Sequence, residues 1–287
     1  MAEGKKKQKK NPWWYKLGIL VFGAVFCVSA FMAGRDYLAA KKEADAFDSL
    51  SKLAADYAEE KAPADLPESS GETTDQEKAA EWAELLKEAA GYAALKNENP
   101  DYVGWIRIPD TRIDYPVVDR ESDPEYYLHR AFDGSKSFGG TPFLGEASGV
   151  DTKCLIIYGH NMKNDAMFGS LMGYKEQAYY EEHPTMTLYT PDGDYTIELL
   201  SGTLESGDRE SVRFRFESEE DFTGYIQSLQ SRSTFSSHGT AVPGDRLVSL
   251  CTCTYEQNNA RYLVVGRLLP VSESGAQDEK RAVRQRD

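Results

Sequence analysis

Eight short segments follow one another between Asn99 and Pro270, and they limit the fold more than any other feature of the chain. Residues 103–108, 115–118, 141–144, 154–158, 185–190, 195–203, 246–253 and 262–269 each read as a strand, bounded by Gly, Pro, Asn and Asp. The string Pro191-Asp192-Gly193-Asp194 supplies a hairpin turn between two of them. So many short strands in one sheet leave unpaired edges unless the sheet closes on itself. The expectation is therefore a closed β-barrel, in a mostly β (α+β) chain. One segment breaks the run. Residues 217–231 carry Phe222, Tyr225, Ile226 and Leu229 at helical spacing, just before the strand at 246–253. A chain of 287 residues, 40% hydrophobic and 28% charged, has material for one such domain with extensions. It contains no internal repeat.

The extensions lie mainly ahead of the barrel. Residues 17–34 carry no charge, and as a helix these 18 residues would extend roughly 27 Å, close to the hydrocarbon thickness of a bilayer. Trp13, Trp14 and Tyr15 precede them, at the place where aromatic rings favour a membrane interface. Lys5, Lys6, Lys7, Lys9 and Lys10 stand before those, so the positive-inside rule keeps that end cytoplasmic and sends the remainder outside. A cleaved signal peptide is the alternative, with small residues around Ser29 and Ala30. The apolar run exceeds a usual signal core, which favours an uncleaved single-pass anchor.

These readings divide the chain into a basic cytoplasmic tail (1–16), an anchor (17–34) and a juxtamembrane stalk with an acidic linker (35–76). The catalytic domain (77–270) and a polar, disordered tail (271–287) follow. The stalk is helical over 36–60, and a further helix over 77–95 presents Trp82, Leu85, Leu86 and Ala89 on one face.

Charge excludes one class of partner. The formal net charge is -14, and six of the lysines lie within the first 16 residues, so the rest of the chain is more acidic still. Such a domain repels phosphate backbones and is not expected to bind nucleic acid. The four cysteines, Cys27, Cys154, Cys251 and Cys253, form no obvious framework. Cys27 lies in the apolar run, and residues two apart on a strand are poorly placed to bridge. An unpaired thiol kept outside the cell points instead to chemistry.

Two segments could carry it. Cys154-Leu155-Ile156-Ile157-Tyr158-Gly159-His160 is a buried strand that ends at a glycine with a histidine at its exit. Ser249-Leu250-Cys251-Thr252-Cys253 is an apolar strand that ends in a thiol, and Arg261 opens the last strand shortly after. A free thiol is mostly protonated at neutral pH and needs a base or cation beside it to attack. Histidine can move that proton. An arginine guanidinium can hold the oxyanion that acyl transfer develops. Each residue alone has an ordinary structural explanation. Cys251 and Cys253 face the same way on a regular strand, so periodicity leaves both open as the nucleophile.

Tyr158-Gly159-His160-Asn161-Met162 together with Ser249-Leu250-Cys251-Thr252-Cys253 closely resembles the sortase family, in which a Gly-His pair precedes a Thr-Leu-x-Thr-Cys motif. Ser249 departs from the first motif position. Papain-like enzymes place the cysteine before the histidine, so the order here argues against them. The subclass resembles class B, on Asn99-Pro100-Asp101-Tyr102-Val103-Gly104-Trp105-Ile106, Tyr126-Tyr127-Leu128 and Met167-Phe168-Gly169-Ser170-Leu171. The resemblance implies an eight-stranded barrel with N-terminal helices and a helix in the loop before the cysteine strand.

It further implies a cysteine transpeptidase of Gram-positive cell membranes, with Cys253 as nucleophile, His160 as proton shuttle and Arg261 as electrophilic clamp. Leu128 and Cys251 are expected at the substrate, Cys251 with a thiol exposed enough to be oxidised. His129, His183 and His238 match no motif and are expected to be structural or solvated. Neither a cofactor nor a metal is expected.

The implied substrates are surface proteins with a C-terminal sorting signal, cut after Thr. The implied acceptor is an amine of peptidoglycan precursor or another amine. Two alternatives stay open: a pilin-polymerising sortase, and a catalytically silent barrel that binds surface proteins.

Overall fold

The structure is a computed structural model; it describes residues 13–61, 90–145, 148, 152–162, 164–191, 193–206, 212–254 and 259–271. The chain divides into two units, the first ending at Asp45 and the second beginning at Ala46. In the first unit, helix α1 (Trp13–Lys61) starts at the interfacial aromatics and carries the uncharged run. It is long and apolar enough to cross a membrane, and no part of that stretch is buried against protein.

The second unit is a closed barrel of eight strands: β1 (Tyr102–Arg107), β2 (Asp114–Val118), β3 (Phe143–Leu144), β4 (Cys154–Tyr158), β5 (Thr185–Thr190), β6 (Gly193–Ser206), β7 (Arg246–Cys253) and β8 (Ala260–Pro270). Around the barrel the order is β1-β2-β3-β4-β7-β8-β6-β5, with β5 pairing back to β1. Two pairs are parallel, β2 with β3 and β4 with β7; the others are antiparallel. The expected barrel is the observed one. Three of the expected strands keep their bounds, and the sixth is longer than expected, running to Ser206 with a bulge between Leu199 and Ser201.

Alternation along the strands sorts side chains into two cores. Leu155, Ile157, Val248, Leu250, Tyr262 and Val264 point into the barrel. Cys154, Ile156, Leu247, Cys251, Leu263 and Val265 point outward, beneath helix α3 (Glu219–Ser231). That helix begins where Ser218 caps it, its hydroxyl accepting from the Asp221 N–H at 3.2 Å. Glu219, Glu220 and Asp221 then oppose the helix dipole. Arg213 fixes Asp221 in a bidentate pair at 2.6 and 2.7 Å. Phe222, Tyr225, Ile226 and Leu229 form the buried face. A third core covers the outside of β1, β2 and β5, where Tyr92 stacks on Trp105 at 4.7 Å.

The expected helix over 77–95 lies mostly outside the described residues; its end is helical over 90–94 and closes in a 3-10 turn (Leu95–Asn97). From Ala46, α1 contributes to the barrel unit, with Phe47 edge-on to Tyr115 at 5.0 Å. A 3-10 segment (Gly169–Lys175) and helix α2 (Gln177–Glu182) fill the β4–β5 connection.

Candidate active site

The strand register assembles the site. In the parallel β4–β7 pair, Tyr158 stands beside Cys251, and the next peptide continues the ladder, the Gly159 N–H donating to the Cys251 carbonyl at 3.1 Å. Two residues beyond this pair stand His160, past the end of β4, and Cys253, the last residue of β7. On the other side of β7, Arg261 of β8 is the direct antiparallel partner of Cys253. Cysteine and arginine thus face each other across β7 and β8, and His160 leaves the end of β4, the strand on the other side of β7. Alternation puts Cys253 and Arg261 on the outward face, and directly opposed residues on one face are close neighbours.

Local contacts hold this end of the sheet. The Asn161 side-chain amide donates to the Cys253 carbonyl at 2.8 Å, tying the β4 exit to the end of β7. The Thr252 hydroxyl donates to the Gly159 carbonyl at 2.7 Å. Gly159 allows no side chain, because a Cβ there would lie 2.6 Å from the Phe168 ring. The Phe168 N–H donates to the His160 carbonyl at 2.9 Å. The turn that aims His160 is therefore bonded on both sides.

His160 Nε2 lies 2.9 Å from the Leu128 carbonyl oxygen. A carbonyl only accepts, so Nε2 carries a hydrogen in either charge state of the ring. Nδ1 is the ring nitrogen left to other partners by that contact. Leu128, expected as a substrate contact, meets the site through its backbone. His129, set aside from sequence, has its ring stacked on that of His160 with centroids 5.4 Å apart and planes inclined by 20°. Nothing local in the sequence signals this stack. Asn161, which follows the Gly-His pair directly, could have been found there. The Arg261 guanidinium is 5.6 Å from the centre of the Tyr158 ring.

All four cysteines are unpaired thiols, and their exposures differ. Cys253 is exposed, whereas Cys251 is only 2% exposed. The expectation of an oxidisable Cys251 is corrected here. Both thiols share one face, but the apolar layer under α3 closes over the first and ends before the second. Burial pushes the Cys251 thiol up to about 12; the positive charge of Arg261 draws it down and Cys253 raises it further. Burial also pushes Cys154 up to about 12, against the pull of Lys153 and Arg213.

Iodoacetamide at about pH 8 should therefore modify Cys253 in the native protein and spare Cys154 and Cys251 until urea unfolds it, as read by peptide mapping. Equal labelling of Cys251 and Cys253 would contradict the covering by α3. Both folded-state values lie above the ordinary 9.0, so this contribution to stability is whole below pH 9.0 and falls as pH rises toward about 12.

Comparison with known proteins agrees with the barrel and with the order of these segments. The sortase domain profile matches residues 106–269. Sortase B of Listeria monocytogenes is 31% identical over 179 residues, which are 61% of this chain and 72% of that protein. The crystal structure of Clostridium perfringens sortase B superposes with a TM-score of 0.58 at 34% identity, covering 61% of this chain and 98% of that one. A Staphylococcus aureus sortase B–substrate complex shares the fold at 24% identity, with a TM-score of 0.61 over 70% of this chain and 100% of its own. The chain is therefore a class B member of the sortase family of cysteine transpeptidases.

Proposed function

We propose that the protein is a membrane-anchored transpeptidase that cleaves a C-terminal sorting signal after Thr and joins the new carboxyl end to an amino acceptor. The observation that carries the reading is the gathering of His160, Cys253 and Arg261 at one end of the adjacent strands β4, β7 and β8, with Cys253 and Arg261 directly paired. The Cys253 thiolate attacks the Thr carbonyl carbon, and Arg261 holds the carbonyl oxygen as it becomes an oxyanion. The C–N bond then breaks, and the leaving amine takes the proton from Nδ1 of His160, leaving a thioacyl-enzyme. His160 next removes a proton from the incoming amine. That amine attacks the thioester, and the Cys253 thiolate departs.

The acceptor class is an amine of peptidoglycan precursor or of another surface protein, following the family. The apolar part of α1 serves as the anchor, and the lysines ahead of it keep the amino-terminal end cytoplasmic and the barrel outside. In the S. aureus relative the bound molecule is a substrate, which supports a peptide ligand for this barrel as well.

The test is turnover of a panel of quenched peptides of the form x-Pro-x-Thr-Gly, -Asn or -Ala by the full chain in detergent. The parent should cleave after Thr. Cys253→Ala should fall to background, His160→Ala and Arg261→Ala should lose at least about 10²-fold, and Cys251→Ala should stay active. Activity in Cys253→Ala would reject the nucleophile. Failure of the parent on every peptide, with an amine acceptor present, would favour a binding domain instead.

A further inference from the structure

The short turn at Tyr126–His129 is held more firmly than a surface turn needs to be. Asn99 is buried and donates to the Tyr127 hydroxyl at 2.9 Å and to the Phe132 carbonyl at 2.7 Å. The Tyr127 hydroxyl in turn donates to Asp101 at 2.8 Å, and Arg120 pairs with the same carboxylate oxygen at 2.8 Å. Arg120 and Arg130 both lie against the Tyr126 ring, with guanidinium carbons 3.7 and 4.5 Å from its centre. These contacts order both ends of the turn and leave it little freedom.

What this turn presents to the site is two consecutive residues. The Leu128 carbonyl receives the Nε2 proton of His160, and the His129 ring stacks on the His160 ring. One hydrogen bond fixes where the edge of an imidazole points but leaves it able to rock about that bond. A second ring lying nearly parallel, at 20°, resists the rocking. Together they set the plane in which Nδ1 must give and take its proton. General acid–base transfer depends steeply on that direction.

We propose that His129 is a positioning residue for His160, acting through the stack of the two rings and not by exchanging protons with substrate. The proposal rests on the reading of His160 as the proton shuttle. What it requires at position 129 is a flat ring, not a titratable one. Phenylalanine should therefore replace it, and alanine should not.

The experiment uses the full chain in detergent micelles, with His129→Ala and His129→Phe beside the parent and His160→Ala. Turnover is measured on the panel peptide that the parent cleaves fastest. His129→Ala is expected to lose about tenfold in kcat with KM little changed, and His129→Phe to stay within about twofold of the parent. The second readout is the NMR spectrum of the histidine rings; the chain has only 4 histidines, and the signal missing in His160→Ala identifies that residue. Loss of the stacked ring should move the His160 signal downfield in His129→Ala, and His129→Phe should keep it shielded.

The proposal is overturned if His129→Ala keeps the parent's kcat, or if His129→Phe falls as far as His129→Ala. A parent as slow as His160→Ala would instead sink the proton-shuttle reading. The ring spectrum then decides the positioning claim, because a His160 signal unmoved in His129→Ala rejects it.

Discussion

Replacing Arg261 with lysine is expected to lower kcat on the cleaved peptide by about 10²- to 10³-fold, nearly as far as replacement with alanine, although the positive charge is kept. The reason lies in geometry. Arg261, the second residue of β8, stands directly opposite Cys253, with its guanidinium carbon 5.6 Å from the Tyr158 ring centre. A planar fork beside that ring offers several N–H groups in fixed directions. An ammonium on a flexible stem has no planar face to lay beside the ring and presents one strongly hydrated point charge. The oxyanion forms only during reaction, so losing directed donors should lower kcat and kcat/KM together. If Arg261→Lys stays within tenfold of the parent, charge alone does the work and directed donation by Arg261 is wrong.

The same residues show what a sequence can and cannot reveal here. The strands at 154–158 and 246–253 are apolar runs that stop at a glycine and at a thiol, so periodicity found both ends of the site. The motifs then selected His160, Cys253 and Arg261. Strand β6 runs past its expected end through Glu205, and its two glutamates, Glu198 and Glu205, are both buried, one against Arg267 and the other against Arg232. Partners distant in sequence made those positions tolerable, and no local rule shows a distant partner. Cys251 teaches the complementary lesson. Period two put its side chain beside that of Cys253, but the layer under α3 decides which thiol meets solvent. The stack of His129 on His160 joins residues 31 positions apart in sequence and is legible only once the 126–129 turn is folded against the β4 exit.

Arg267→Met should be the most damaging single change to stability outside the site, at about 3–5 kcal/mol. Arg267 and Glu198 face each other across β8 and β6, and their side chains are 12% and 11% exposed. The guanidinium donates to Glu198 at 2.6 Å and reaches Asp245 at 3.3 Å, so one cation serves two carboxylates. The loop after α3 closes over them, since a Cβ at Gly239 would lie 2.8 Å from the Glu198 carboxyl carbon. Water cannot readily replace the lost partner under that cover, and the remaining negative charge becomes the dominant cost. Removing the charge from both sides should then restore much of the loss. In urea unfolding followed by fluorescence, Glu198→Met/Arg267→Met is expected to unfold later than Arg267→Met alone, and a double variant as unstable as the single one would mean that packing of the Arg267 stem, not its charge, holds β6 to β8.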